Sequence, residues 1–244
     1  MLKVLYLLNT VRHNTSEIEN IEKGLWHDNN FFGMFRLRKY GFETNFLELE
    51  QFLSEWFTKF LRKYINIWWI HLPMSPLFFK YDIVFSSTAY SSMLLKAILH
   101  IRRPKWVILD FNIDGTIGNK TTFRQKMLHY AVSKADGIVT ISKAEEITLK
   151  ERFPQLIDKI VFIHEGVDTQ FFILDLLVPE ENFILSVGYN PDRDFKTVIE
   201  ATKDLGIALV LATKPSRVEH LQPLPSHVTV KSFSHEEMQL VYKK

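Results

Sequence analysis

The sequence contains no cysteine, so disulfides, thiolate metal sites and cysteine nucleophiles are all excluded, and a reducing, cytoplasmic setting fits. Long hydrophobic runs are missing as well. A membrane-spanning helix needs roughly 20 apolar residues, and the best candidate, residues 65–79, is interrupted by His71, Pro73 and Pro76. The apolar start at residues 1–8 is too short for a signal peptide core, and Asn9, Arg12 and His13 follow where small residues would mark cleavage. It reads instead as a first buried strand. Charge of one sign is also scarce: a net +2 in 244 residues argues against a protein built mainly to hold nucleic acid, which concentrates a large basic excess. The loop at residues 9–14 has no glycine. His71, His100, His129 and His164 lack the spacing of metal ligands.

What is present is ordinary globular material, 46% hydrophobic and 24% charged, enough for one large domain or one and a half smaller ones. Short apolar runs alternate with helix-period segments, the pattern of an α/β chain with a parallel sheet. Strands are expected over residues 3–8, 44–49, 82–86, 105–110, 160–164, 183–187, 208–212 and 228–230, with another ending near Ser142. Helices are expected between them, including residues 31–40 stopped by Gly41, 90–101 and 122–135. Ser142 with Glu145, and Ser234 with Glu237, have the spacing of capping boxes.

Loops at the carboxyl ends of parallel strands are where ligands collect in this architecture. Three of them carry candidate residues. After the strand at 183–187 come Gly188, Tyr189 and Arg193, and then Asp194 as the N-cap of the next helix. A guanidinium over a helix N-terminus is suited to gripping a diphosphate in bidentate fashion; the bland alternative is a solvated Arg193 paired with Asp192. After the strand at 105–110 come Asp110 and Asn112. A carboxylate there can hydrogen-bond a sugar hydroxyl or accept its proton, or it can merely hold the loop in an Asx turn. After the first strand stand Arg12 and His13, acceptor-side contacts or simply solvated loop residues.

One stripe is unusually clean. Phe52, Leu53, Trp56, Phe57, Phe60, Leu61 and Tyr64 recur at helical spacing with Lys59, Arg62 and Lys63 among the polar positions, and Trp68 and Trp69 follow. Residues 52–69 therefore suit peripheral contact with an anionic membrane surface. A helix packed on the sheet or on a partner shows the same pattern.

Three stretches resemble the GT-B glycosyltransferases of group 1, which use sugar nucleotides with retention. Residues 135–142 (ADGIVTIS) are similar to that family's Ala-Asp-x-Ile/Val-x-x-x-Ser run, and residues 165–172 resemble its Asn-Gly-Val-Asp…Phe turn, with Glu165 in place of Asn. Residues 197–201 (TVIEA) resemble its Thr-Leu-Ile-Glu-Ala-like run, and Arg193 falls where the family commonly has Lys. Tyr189 departs from the Arg often found after the strand glycine. The resemblance implies a Rossmann-like acceptor-side domain over 1–173, a linker over 174–180 and a partial nucleotide-sugar-binding Rossmann-like domain over 181–244. It also implies a nucleotide-sugar donor bound by Arg193, Gly188 and Tyr189, a glycan or lipid-linked acceptor near Asp110, Asn112, Arg12 and His13, and no metal or other cofactor.

The family's second domain normally carries two glutamates eight positions apart that hold ribose and donor sugar, and they are not in this sequence. A shortened chain, inactive alone or completed by a partner chain, is therefore expected. Two other readings stay open: a non-catalytic subunit acting through partner or membrane binding, and a sugar-nucleotide epimerase of the same architecture.

Overall fold

In the computed structural model, residues 1–7, 15–28, 31–65, 69–87, 89–110, 112–118, 122–169, 171–172, 177–190 and 193–243 are described. They form two compact units, Met1–Phe171 and Phe172–Lys244.

In unit 1, strands β1 (Leu2–Leu7), β2 (Phe42–Leu47), β3 (Ile83–Ser86), β4 (Lys105–Asp110), β5 (Gly137–Thr140) and β6 (Ile160–Phe162) form one sheet in the order β2-β1-β3-β4-β5-β6. Every pairing is parallel, as apolar runs joined by helical crossovers require. The order reverses between β1 and β3, so helices cover both faces. On one face Val4 and Tyr6 pack against Phe31, Met34 and Phe35, around α1 (Thr15–Glu22) and α2 (Met34–Lys39). On the other, Leu5, Leu7, Val84, Trp106, Ile108 and Ile138 meet α5 (Tyr90–Ile98), α7 (Phe123–Ser133) and α8 (Lys143–Arg152). The described residues of the unit also form α3 (Glu55–Tyr64), the single turn α4 (Ser75–Phe78) and α6 (Ile113–Ile117).

Unit 2 repeats the design on a smaller scale. Strands β7 (Phe183–Val187), β8 (Ala208–Ala212) and β9 (Val228–Lys231) pair in parallel in that order, and α9 (Phe195–Thr202) buries Phe195 and Ile199 on them beside Leu209 and Leu211. Helix α10 (His235–Val241) closes the described chain, and its Ser234–Glu237 capping box forms in both directions. Among the described residues the outer edge of β7 has no strand partner. No helix is long and apolar enough to cross a membrane, again among the described residues.

Two expectations need adjustment. β2 runs over 42–47 and not 44–49, because Glu48 and Gln51 close a capping box that turns residues 49–51 into a 3₁₀ turn. Ser142 caps α8 through the Glu145 N–H (3.4 Å), but the reciprocal half is missing: the Glu145 carboxylate accepts the Asp114 N–H instead (3.0 Å).

Asp136, between α7 and β5, ties the sheet to its helices. It accepts the Trp106 N–H (2.9 Å) and hydrogen bonds from Lys96 on α5 and Lys105 on β4 (3.0 Å each). Burial alone would raise its carboxyl, but these donors outweigh burial and hold it below its ordinary value. Its contribution is therefore present above the unfolded value of about 3.9 and is lost as pH falls through the lowered folded value. Asp136→Ala should cost about 1.5–3 kcal/mol at neutral pH, the range for hydrogen bonds to a charged group. Urea unfolding of the variant and the parent, at neutral pH and near pH 3, should show that difference shrinking with acid.

Candidate functional site

Parallel pairing brings the carboxyl ends of β4, β5 and β6 to one edge of unit 1. There they line a cavity of about 280 Å3 with Leu109, Asp110, Val139 and Ile141, and it continues along residues 163–168. Asp28 and Arg36 close it from the side of α2.

Strand alternation decides where Asp110 points: it follows Trp106 and Ile108 on their face. The residue is only 2% exposed. Its Oδ1 accepts N–H bonds from Asn112 (2.9 Å) and Ile113 (2.7 Å), an Asx-type clamp on the loop. Oδ2 is buried and receives no N–H or O–H donor; the Glu145 carboxyl is close enough to interact with the Asp110 carboxyl, and the two can hydrogen-bond only when one of them holds a proton. Burial first, and then the Glu145 charge, push the Asp110 carboxyl up to about 6 against the lowering effect of its two backbone donors. The same burial and charges raise the Tyr90 hydroxyl. Asn112 serves as the N-cap of α6, its Oδ1 accepting the Gly115 N–H (3.0 Å). A Cβ on Gly115 would stand 2.4 Å from that oxygen, so a larger residue there would have to displace the Asn112 capping side chain. Arg12 and His13 lie outside the described residues.

Sequence reasoning missed the opposite wall. Asp28 is 6% exposed, and its Oδ2 caps α2 from a distance, accepting the N–H groups of Phe35 (3.0 Å) and Arg36 (3.3 Å). Its Oδ1 is buried without a hydrogen-bond partner. Burial pushes this carboxyl up to about 6, beyond what the two N–H donors and the Arg36 charge offset. Arg36 in turn pairs with Asp168 at 2.5 Å. The only signal in the chain was Asp168 itself, within the 165–172 turn. Asp28 and Arg36 belong to no motif and meet Asp168 only through the fold. His164, exposed at the cavity, packs its ring edge-on to Phe162.

In unit 2, Gly188 follows β7 and its N–H bonds the Ala212 carbonyl (3.2 Å). The Arg193 side chain folds back across it, and a Cβ on Gly188 would stand 2.6 Å from Nε and 2.7 Å from Cγ. Gly188 and Arg193 are thus brought together at the carboxyl end of β7, with half-exposed Tyr189 alongside. The N-terminus of α9 is itself partly occupied. Asp194 accepts the Thr197 N–H (3.0 Å) and hydroxyl (2.7 Å), and the Phe195 N–H bonds the Arg193 carbonyl (3.0 Å). Any anion here is therefore met mainly by the exposed guanidinium, which makes no ion pair among the described residues. Asp192-Arg193-Asp194 also has Asp-x-Asp spacing, but Asp194 is committed to its cap and Asp192 lies outside the described residues.

No protein-family model matches the sequence, and no curated protein matches it. Solved structures do. Sucrose-phosphate synthase from Thermosynechococcus elongatus superposes with a TM-score of 0.62 at 14% identity, covering 100% of this chain and 73% of the synthase. Anabaena HepE, solved in complex with UDP-glucose, gives 0.57 at 12% identity over 99% of this chain and 71% of HepE. An α-glucosyltransferase in complex with UDP and DNA gives 0.53 at 9% identity, covering 100% and 70%.

The fold is GT-B-like. The six-stranded parallel sheet of unit 1 and the three-stranded parallel sheet of unit 2 are the expected pair of Rossmann-like sheets, the second with three strands among the described residues.

Two buried carboxyls raised to about 6 make a specific pH signature in this GT-B-like chain. An acid whose folded pKa exceeds its unfolded value binds more protons when folded, so stability falls as pH rises from about 4 through 6. Denaturant unfolding should therefore show higher stability near pH 5 than near pH 7.5. Asp28→Asn and Asp110→Asn should each flatten that slope and gain about 1–2 kcal/mol at the higher pH, on the scale of 1.4 kcal/mol per pKa unit. An unchanged slope in both variants would place the raised carboxyls elsewhere.

Proposed function

We propose that this chain is a sugar-nucleotide-dependent glycosyltransferase, with donor diphosphate held by unit 2 and acceptor by unit 1. The observation that carries the reading is Arg193, folded over Gly188 at the carboxyl end of β7 with its guanidinium exposed and without an ion-pair partner among the described residues. The similarity of fold to HepE solved with UDP-glucose and to the glucosyltransferase solved with UDP supports it.

In the proposed reaction an acceptor hydroxyl oxygen bonds the anomeric carbon as the bond from that carbon to the diphosphate oxygen breaks. The electron pair leaves with the nucleoside diphosphate, and the hydroxyl proton passes to a base. Retention means that the new bond forms on the face the diphosphate leaves. Arg193 neutralises the charge that grows on the departing diphosphate, help that is largest when the donor is already in place. The Gly188 and Tyr189 backbone lines the same site. Asp110 and Asn112 are assigned to the acceptor side, together with Arg12 and His13. Asp110 is ionised at neutral pH even with its carboxyl raised to about 6, which is the state a proton acceptor needs. A glycan or lipid-linked acceptor is the class proposed.

Titration with UDP, GDP and ADP should show Arg193→Ala weakening binding of the preferred diphosphate by about 1.5–3 kcal/mol, as for other hydrogen bonds to charged groups. Gly188→Ala should displace the Arg193 stem and weaken binding while leaving thermal stability nearly unchanged; equal affinity in both variants would remove Arg193 from the site. For Asp110, transfer assays separate two roles. Asp110→Asn keeps an oxygen for the Asn112 and Ile113 N–H groups, so a loss of 10²–10⁴-fold, roughly the contribution of a general base, marks proton acceptance. Activity retained in Asp110→Asn but lost in Asp110→Ala marks loop positioning.

A further inference from the structure

Helix α3 does not seat its aromatic stripe on the sheet. From this segment the core takes Leu53 and Leu61, and Thr58 is buried beside them. Arg62 anchors the same inner side, forking onto Glu50 at 3.0 and 2.9 Å. The rings face out: Trp56 is 75% exposed and Tyr64 65%, with Phe52, Phe57 and Phe60 exposed among them. They touch one another, Trp56 to Phe60 at 6.3 Å and Phe60 to Tyr64 at 4.7 Å between ring centres. Ile65, which follows the helix directly, is exposed as well. Soluble proteins expose large apolar side chains singly, and a contiguous set of this size marks a surface that something covers.

Helical spacing places Lys59 and Lys63 beside Trp56 and Phe60 on that outer face. The Lys63 ammonium lies over the Tyr64 ring at 5.4 Å. Lys59 meets Glu55 at 2.7 Å, but both are well exposed, and such a pair contributes little that would hold it from another anion. The covering partner must therefore offer negative charge and apolar material side by side along the length of a ten-residue helix. An anionic bilayer leaflet has that layering: headgroups meet ammonium groups, and acyl chains just beneath take the Trp and Phe rings. Trp and Tyr settle at that boundary because each is apolar with a polar tip.

We infer that α3 is an in-plane docking surface for an anionic lipid bilayer, with Trp56, Phe60 and Tyr64 inserted and Lys59 and Lys63 at the headgroups. The inference is independent of the transfer chemistry proposed above. It holds or fails by vesicle binding alone.

Co-sedimentation of the whole chain with phosphatidylglycerol-containing vesicles and with pure phosphatidylcholine vesicles tests it. The parent should partition at least about tenfold more strongly onto the anionic vesicles, and Lys59→Gln with Lys63→Gln should lose roughly fivefold per lysine. Trp56→Ala with Phe60→Ala should lose on the order of tenfold per ring while its circular-dichroism melting curve stays that of the parent, since neither ring supports the core. Trp56 fluorescence, read as the difference from Trp56→Phe, should be quenched by brominated acyl chains. Equal partition of the parent and both double variants overturns the inference. So does a concentration-dependent dimer in sedimentation velocity that Trp56→Ala abolishes without any vesicle binding, because the stripe would then hold a second copy.

Discussion

Parallel pairing is the constraint on which the rest of this structure depends. Strands that all run the same way must be joined by crossovers, and the crossovers bury both faces of the sheet. Only the edge where the strands end remains open to carry chemistry. In unit 1 that edge gathers Asp110, residues 163–168 and the Asp28–Arg36 wall around one cavity; in unit 2 it places Arg193 across Gly188. Within each unit the candidate groups come from separated parts of the chain, and that unit's own sheet brings them to one edge.

Charge inside unit 1 is handled in two opposite ways. Asp136 sits where a backbone N–H and two lysines converge, and it works as an ionised staple between β4, β5 and α5. Asp28 and Asp110 are buried with one oxygen satisfied by backbone and the other without a donor. A half-satisfied buried carboxylate is costly. Both of these costly groups line the one cavity at the strand ends. The nearby Glu145 charge adds like-charge repulsion to that cost at Asp110, and Glu145 accepts the Asp114 N–H in place of the N–H at its own helix cap.

Sequence reasoning was strong where periodicity is strong. The nine strands among the described residues were legible, because most are short apolar runs bounded by turn residues, and the Ser234 and Asp194 caps formed as their side-chain chemistry requires. Boundaries slipped where a side chain far from the pattern intervened, as when Glu48 and Gln51 ended β2 early. The short helices α4 and α6 carry too few turns to show a period. The α3 stripe marks the limit of pattern reading: an amphipathic repeat says that a helix has an apolar face, but an inward and an outward face have the same period.

Residue order by itself determined the α/β class, the alternation that requires a parallel sheet, and the placing of Gly188, Arg193 and Asp110 at strand ends, because these follow from local propensity and from the one-residue alternation of a strand. Tertiary structure alone decided which groups meet. Asp28 and Arg36 reach Asp168 across more than a hundred residues, Asp110 comes beside Glu145, and the aromatic face of α3 looks away from the core. Each of these is a matter of which surfaces pack first against a finite sheet, a competition over buried area that is settled by the whole chain and is written in no single stretch of it.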